Sequence, residues 1–469
     1  MILDRFAPKY GSLAIKKSIS GMRGTIGGQP GNNLTPIDLV EMTAAYGQWL
    51  LSKGLNKKVV VGRDGRISGQ IVSQLAINTL LSMGIDVVNL GLSTTPTVEM
   101  AVPAEKAGGG IIFSASHNPK EWNALKLLNE KGEFISAADG ATILKLADER
   151  DLTFAEVDTL GTYREDESYI DYHIKQILKQ KIFNVPKIKK NLFKVVVDCI
   201  NSTGAIALPP LLDKLGCGYE LLNDDVTGDF AHNPEPIPVN LQALAKRVVA
   251  TNADMGIAVD PDVDRLVFIC EDGSMFSEEY TIVAAADFVL GKKPGNTVSN
   301  LSSTKALADV TKRYKKKYTA SAVGEVNVVE AMKKTKAVIG GEGNGGVIYP
   351  ELHYGRDALV GIVMVMNLLA DRKCTMSELK ATYPAYQIVK SSMKVKDDNA
   401  VKKYLKEIEK SYLNEKLDKT DGLKILWEDS WVHIRSSNTE PIIRVIAEAQ
   451  TKDKAETLVQ DIFKIINGN

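Results

Sequence analysis

The stretch KKVVVGRDGRISGQ (57–70), continuing into IVSQLAINTLLSMG (71–84) and IDVVNLGLSTTP (85–96), carries the pattern on which the fold is read. An apolar β-branched run, a loop of small and polar residues, a helical pattern and a second apolar run follow one another. This is the grammar of a parallel α/β unit, in which ligands sit at the carboxyl ends of the strands. The same order returns in FKVVVDCINSTG (193–204), AIALPPLLDKLG (205–216) and CGYELLN (217–223), and more weakly in TVSNLSSTKALADVTKRYKKKYTASAVGE (297–325). The copies are too far apart for a solenoid, so the repeat is one of domains. From about Tyr386 the pattern changes to a strand, a charged helix (AVKKYLKEIEKSYL, 400–413), a hairpin around Trp427 and Trp431, the strand IIRVIAEA (442–449) and a closing helix, an α+β module. The expected domains are 1–160, 161–269, 270–384 and 385–469.

A chain of 469 residues is too long for one core, which fits this division. Lysine plus arginine (58) balance aspartate plus glutamate (58), which removes the positive field of a protein held by nucleic-acid phosphates. Anion sites must then be local. No segment approaches the roughly 18–20 uncharged apolar residues of a membrane span, and the N-terminal stretch has no signal-like apolar run, so a cytoplasmic location is expected. Cys199, Cys217, Cys270 and Cys374 lack CxxC spacing and read as ordinary core thiols.

Five segments concentrate groups that do chemistry. Ser114-Ala-Ser116-His117-Asn118-Pro119 follows the apolar run GGGIIF and offers two serines as nucleophiles, with His117, Asn118 and Lys126 as groups that could assist. Asp260-Pro-Asp262-Val-Asp264-Arg265 places three carboxylates at alternate positions, so that in an extended loop they face one way. Hard oxygen ligands of this kind favour magnesium, and Arg265 suits a phosphate. Gly341-Glu342-Gly343-Asn344-Gly345-Gly346 reads as a turn, or as a loop presenting a carboxylate and an amide to sugar hydroxyls. Arg435-Ser436-Ser437-Asn438-Thr439-Glu440, with Arg444 beyond it, gathers cations, hydroxyls and an amide in a form that suits a phosphate dianion. Gly62-Arg63-Asp64-Gly65-Arg66 opens a helix, and its charged pair is either anion-binding or structural.

In this order the motifs resemble the α-D-phosphohexomutase superfamily, which includes phosphoglucomutase, phosphomannomutase and phosphoglucosamine mutase, and the resemblance spans nearly the whole chain. It implies three related mixed α/β domains plus a C-terminal α+β domain around a central active-site cleft. It makes Ser116 the phosphorylated residue and a ligand, with Asp260, Asp262 and Asp264, of a magnesium ion. Lys126 and Arg23 match basic active-site positions of the family and stand with His117 and Arg265 as catalytic candidates. Glu342 and Asn344 fall in its sugar loop, and Arg435, Ser437, Asn438, Thr439 and Arg444 in its phosphate loop.

The implied activity interconverts hexose 1-phosphate and hexose 6-phosphate through a hexose 1,6-bisphosphate, which is also the activator. The expected partner is the hexose phosphate alone, with no nucleic acid and no membrane, and the chain is expected as a monomer or homodimer. Two departures stand out. Pro261 and Val263 lie where many relatives have glycine, and Asn344 with Gly345-Gly346 replaces a common serine followed by Gly-His. The asparagine resembles archaeal-type members and eukaryotic N-acetylglucosamine-phosphate mutases, which puts phosphoglucosamine mutase ahead of phosphomannomutase/phosphoglucomutase. A sugar phosphatase and a non-catalytic sugar-phosphate-binding protein are the rival readings.

Overall fold

The computed structural model describes residues 16–18, 21–150, 152–436 and 442–468. The first sheet contains β1 (Lys16–Ser18), β2 (Gly21–Thr25), β3 (Lys58–Arg63), β4 (Asp86–Leu92), β5 (Gly109–Phe113), β6 (Trp122–Leu128) and β7 (Tyr163–Glu165), in the order β1-β2-β6-β5-β3-β4-β7. The second has β8 (Lys194–Asp198), β9 (Gly218–Leu222), β10 (Met255–Val259) and β11 (Leu266–Cys270), ordered β11-β10-β8-β9. The third has β12 (Asn296–Asn300), β13 (Tyr318–Ser321), β14 (Ala337–Glu342) and β15 (Gly346–Ile348), ordered β13-β12-β14-β15. The last is the antiparallel sheet of β16 (Gln387–Lys394), β17 (Lys416–Asp418), β18 (Leu423–Leu426), β19 (Trp431–Ser436) and β20 (Ile442–Ala449), ordered β16-β20-β19-β18-β17. Three α/β sheets followed by an α+β module is the expected fold class.

The apolar run Val59-Val60-Val61 is continuous because its sheet is covered on both faces. Val59 and Val61 join Ile111, Phe113 and Leu125 in the core that includes Tyr46 and Trp49 of the helix Pro36–Ser52. Val60 points the other way, into a core with Ile112, Leu128 and Val98 of the helix Thr95–Ala104. β3 pairs in parallel with β4 and β5, whereas β6 runs antiparallel between β5 and β2. The serine motif therefore lies in the connection of an antiparallel pair, where the regular α/β pattern would place a loop leading into a helix.

The chain divides into two compact units. One comprises Met1–Lys179, Val196–Leu244 and Ala258–Asp264; the other comprises Gln180–Val195, Ala245–Ile257 and Arg265–Asn469. Within the second unit the C-terminal sheet docks on the segment after β12. Lys424 Nζ donates to the Leu301 carbonyl at 2.5 Å, and Glu448 Oε1 accepts the Lys305 N–H at 2.8 Å. His433 Nε2 donates to the Asp421 carbonyl at 2.6 Å, so its Nδ1 accepts the Ser302 hydroxyl at 2.9 Å. Burial pushes His433 down to about 4, and Lys424 down to about 8 against the pull of Glu448. Among the described residues no helix is long and apolar enough to cross a membrane, and no disulfide links the cysteines.

Candidate active site

In the first unit Ser116 stands in the connection between β5 and β6 with φ +50, the left-handed region that non-glycine residues rarely occupy. Three contacts hold it there. Its N–H donates to Ser114 Oγ at 2.9 Å, its carbonyl accepts from Arg66 at 2.5 Å, and its hydroxyl donates to Asp260 Oδ2 at 2.5 Å. Ser114 is thus a backbone support for Ser116. Arg23, on β2, donates to Asn118 Oδ1 in the same connection at 2.8 Å, and His117 is half-buried beside Ser116.

Asp260, Asp262 and Asp264 follow the buried strand β10 and are themselves fully buried, each offering an oxygen within 4.8 Å of the others. The loop is shaped from several sides. The Ser202 and Thr203 hydroxyls donate to the Pro261 carbonyl at 2.6 and 2.8 Å, and the Asp264 N–H donates to Asp260 Oδ1 at 3.1 Å. The Thr95 hydroxyl donates to Asp262, and the Thr95 N–H to the Asp262 carbonyl at 2.9 Å. Val263 takes φ +60 with its side chain buried, so a β-branched residue occupies a conformation natural to glycine.

Lys126 is a cation that faces these acids. It enters from β6, buried, with Nζ 2.5 Å from Asp262 Oδ2 and 3.4 Å from Asp264 Oδ2. Three buried carboxylates lie around that ammonium. Asp262 Oδ1 is buried with no hydrogen-bond partner among the described residues. A buried carboxylate oxygen without a donor is costly unless a cation meets it, so the donor set fits a hard divalent ion.

The second unit carries the other candidates. Glu342 ends β14, and the turn to β15 passes through Gly345 at φ +93. The Glu342 carboxylate is buried and fully engaged. Oε1 accepts from Asn300 Nδ2 at 2.7 Å and the Gly324 N–H at 3.3 Å; Oε2 accepts from an Arg356 terminal nitrogen at 2.9 Å and Asn344 Nδ2 at 3.4 Å. Arg356 also pairs with Glu325 at 3.0 Å, so it bridges two acids.

Arg435 and Arg444 lie directly opposite one another on β19 and β20. Like charges in that register repel unless an anion lies between them. Burial draws the Arg435 guanidinium below its usual range, opposed by the carboxylates of Asp421 and Glu342. Arg265 is buried immediately before β11. Ser437, Asn438 and Thr439 lie outside the described residues.

Four successive segments match the domain models of one family: phosphoglucomutase/phosphomannomutase α/β/α domain I over residues 15–153, domain II over 167–273, domain III over 277–386 and the C-terminal domain over 386–465. A phosphoglucomutase/phosphomannomutase of Thermococcus kodakarensis is 35% identical over 451 residues, covering 94% of this chain and 98% of that protein. The chain belongs to the phosphoglucomutase/phosphomannomutase family. It is a phosphohexomutase, an isomerase that acts by intramolecular phosphoryl transfer. A protein named probable phosphoglucosamine mutase from Methanopyrus kandleri is 31% identical, covering 95% of this chain and 96% of its own. The crystal structure of a Burkholderia thailandensis phosphoglucomutase/phosphomannomutase family protein superposes with TM-score 0.83 at 24% identity, covering 96% of this chain and 97% of that one.

Several residues that touch the motifs of each unit carry no motif-level signal. Thr95, Ser202 and Asn300 each touch a motif residue from a distant part of the chain, and Arg356 does so from the segment after β15. Arg66 was legible only as a charge in a helix-opening loop. The nearest sequence sign of Thr95 is its place in the polar run Ser93-Thr94-Thr95 at the end of a strand.

Proposed function

We propose that this phosphohexomutase is magnesium-dependent and interconverts hexose 1-phosphate and hexose 6-phosphate through a phosphoserine at Ser116 and a hexose 1,6-bisphosphate, with glucosamine phosphates as its first substrate. The observation that carries the reading is the 2.5 Å contact from Ser116 Oγ to Asp260, inside a cluster of three buried carboxylates faced by Lys126. Asp260, Asp262, Asp264 and a phosphoryl oxygen on Ser116 would hold Mg2+. When bound, the ion supplies positive charge to the transferring phosphoryl oxygens.

The chain's own residues supply the rest, mostly by position and charge. In the forward half-reaction the P–Oγ bond of phosphorylated Ser116 breaks as a P–O bond forms to the free sugar hydroxyl. The Lys126 ammonium gives a proton to Oγ as it departs and, as the amine, takes the sugar hydroxyl's proton in its place, or His117 takes that proton. Arg23 steadies the connection through Asn118, and Arg265 offsets phosphate charge. In the return step the bisphosphate, reversed, gives its other phosphoryl group to Ser116 Oγ and leaves as the isomeric monophosphate. Arg435, Ser437, Asn438, Thr439 and Arg444 hold the phosphate that is not being transferred, and Glu342 with Asn344 faces the sugar.

A glucosamine phosphate is placed first because Asn344 stands where amino-sugar-phosphate mutases of the resemblance carry asparagine, and because the Methanopyrus relative, 31% identical, is named a probable phosphoglucosamine mutase. A second reading, mannose or glucose phosphate, is favoured by the Thermococcus relative's name and 35% identity. The test follows isomer formation from glucosamine, glucose and mannose 1-phosphates with Mg2+ and a trace of glucose 1,6-bisphosphate. Fastest turnover of the glucosamine ester supports the first reading; fastest turnover of either neutral sugar transfers the assignment to the second. Release of free phosphate in excess of isomer would refute the mutase cycle.

A further inference from the structure

Resting on the reading of Ser116 as the phosphoryl carrier, we infer that Arg66 is the positioning residue of the phosphoserine connection, the group that fixes the backbone from Ser116 to Trp122 in its reactive shape. Arg66 comes from the helix-opening loop Gly62–Gly69, and its side chain is entirely buried. A guanidinium has five N–H donors in a rigid fork, and all five are used. Nε donates to Asp64 Oδ2 at 3.0 Å. One terminal nitrogen donates to the carbonyls of Pro119 at 2.7 Å and Trp122 at 2.9 Å; the other donates to those of Ser116 at 2.5 Å and Asn118 at 2.6 Å.

Four carbonyls of one short arc thus converge on a single cation. Carbonyl dipoles aimed at a common point repel one another and cannot satisfy each other, so the arc holds its shape only with a multivalent donor at its centre. Ser116 is where that shape is most demanding, because φ +50 is disfavoured for a residue with a Cβ. The backbone angle sets the direction of the Cα–Cβ bond from which its hydroxyl reaches Asp260 at 2.5 Å. Arg66 touches Ser116 only through the main-chain oxygen, so it acts on the nucleophile without meeting the transferring phosphoryl group. Asp64 completes the device by fixing the fork's orientation, accepting the Arg66 N–H at 3.0 Å on its other oxygen. The Phe230 ring lies 5.0 Å from the guanidinium carbon.

A purely structural arginine would lower stability and leave the chemistry of the folded enzyme alone. A positioning arginine changes kcat at constant KM, and a lysine does not replace it, because one ammonium has three donors and no fork. The experiment uses the full chain with Arg66→Lys and Asp64→Asn. It measures kcat and KM on the panel hexose 1-phosphate that the wild type turns over fastest, with amide hydrogen exchange over residues 114–122.

For Arg66→Lys the expected result is a kcat loss on the order of 100-fold, KM within about threefold, and faster exchange confined to 114–122. A kcat loss under about tenfold, or unchanged exchange in that segment, overturns the proposal. If Arg66→Lys does not fold, Asp64→Asn decides: raised exchange over 114–122 with lowered kcat supports the proposal, and wild-type values of either one overturn it. Ser116→Ala separates the two readings. Turnover by that variant refutes the phosphoserine assignment, while the exchange measurement still tests the pin.

Discussion

Replacing Lys126 by methionine should tighten divalent-ion binding while it slows turnover. The ammonium lies 2.5 Å from Asp262 Oδ2 and 3.4 Å from Asp264 Oδ2, and the three acids are fully buried with oxygens within 4.8 Å of each other. A divalent ion on those oxygens shares them with the ammonium. Two unit charges about 4 Å apart in an effective dielectric of about 20 interact by about 4 kcal/mol, so a 2+ ion and the lysine repel by about 8 kcal/mol before relaxation. Movement of the flexible lysine, water and salt remove most of this. If a fifth survives, about 1.5 kcal/mol, the methionine variant binds Mg2+ roughly tenfold more tightly. Without metal the same variant has lost the counter-charge of a buried pair, a change that costs about 3–5 kcal/mol in comparable cases. Its melting temperature should therefore start lower and rise further with Mg2+ than the wild type's. Calorimetric titration of chelator-treated proteins, paired with thermal melts over a Mg2+ series, reads both quantities. A folded variant that binds Mg2+ no more tightly, and whose melting temperature responds to Mg2+ no more than the wild type's, would refute the idea that lysine and metal compete for one set of oxygens.

Ser116→Ala should abolish phosphate incorporation and turnover, whereas Ser114→Ala, which leaves the Ser116 N–H without its acceptor, should keep incorporation but slow it; phosphoprotein mass spectrometry after exposure to glucose 1,6-bisphosphate distinguishes them. In Gly343→Ala the new Cβ would stand 1.9 Å from Glu279 Oε2, and that oxygen already accepts the Thr304 N–H at 3.0 Å. Either the Glu279 carboxylate gives up that contact or the loop shifts, so on the proposed sugar-binding role KM for the hexose phosphate should rise with a stability loss of about 1–3 kcal/mol; an unchanged KM counts against Glu279 as the floor of that loop. His433 has its folded value lowered to about 4 from 6.5, so between those values the unfolded chain binds more protons. Its contribution is fully present above about pH 6.5 and is lost as the pH falls toward about 4, up to about 3 kcal/mol in all. Denaturant melts across that window should show the decline, and His433→Gln should lack that component. If Arg435 holds the phosphate that does not react, as proposed, Arg435→Ala should raise KM for hexose phosphates far more than it lowers kcat; an equal fall in kcat and kcat/KM would count against that role.

The repeating strand–loop–helix pattern was legible because sheets covered on both faces demand unbroken apolar strands, and Val59-Val60-Val61 and Val195-Val196-Val197 supply them. The candidate metal loop was legible because carboxylates at alternate positions have few uses other than binding a cation or a base. Pairings between remote segments were not legible, even where the residue itself was named, as Lys126 was. Lys126 reaches the acids because β6 runs antiparallel beside β5, a pairing set by side chains across the sheet that leaves no local signature. Arg66 looks in sequence like any charged residue opening a helix, and only folding brings four carbonyls around it.

The sugar loop shows the limit most sharply. Read alone, Gly-Glu-Gly-Asn-Gly-Gly offers Glu342 as a free acceptor for hydroxyls, yet in the folded chain Asn300, Gly324, Arg356 and Asn344 all donate to it. A carboxylate has about four acceptor directions, so a sugar donor gains one only by displacing a donor already there. The longest of the four contacts, 3.4 Å from Asn344, is the weakest by geometry. The Asn300 and Arg356 contacts, at 2.7 and 2.9 Å, set the carboxylate plane and with it the direction in which any sugar group must approach. Neither residue belongs to the loop. On the proposed role of this loop, substrate preference is written as much in β12 and in the segment that carries Arg356 as in the motif itself, since those segments fix the Glu342 carboxylate.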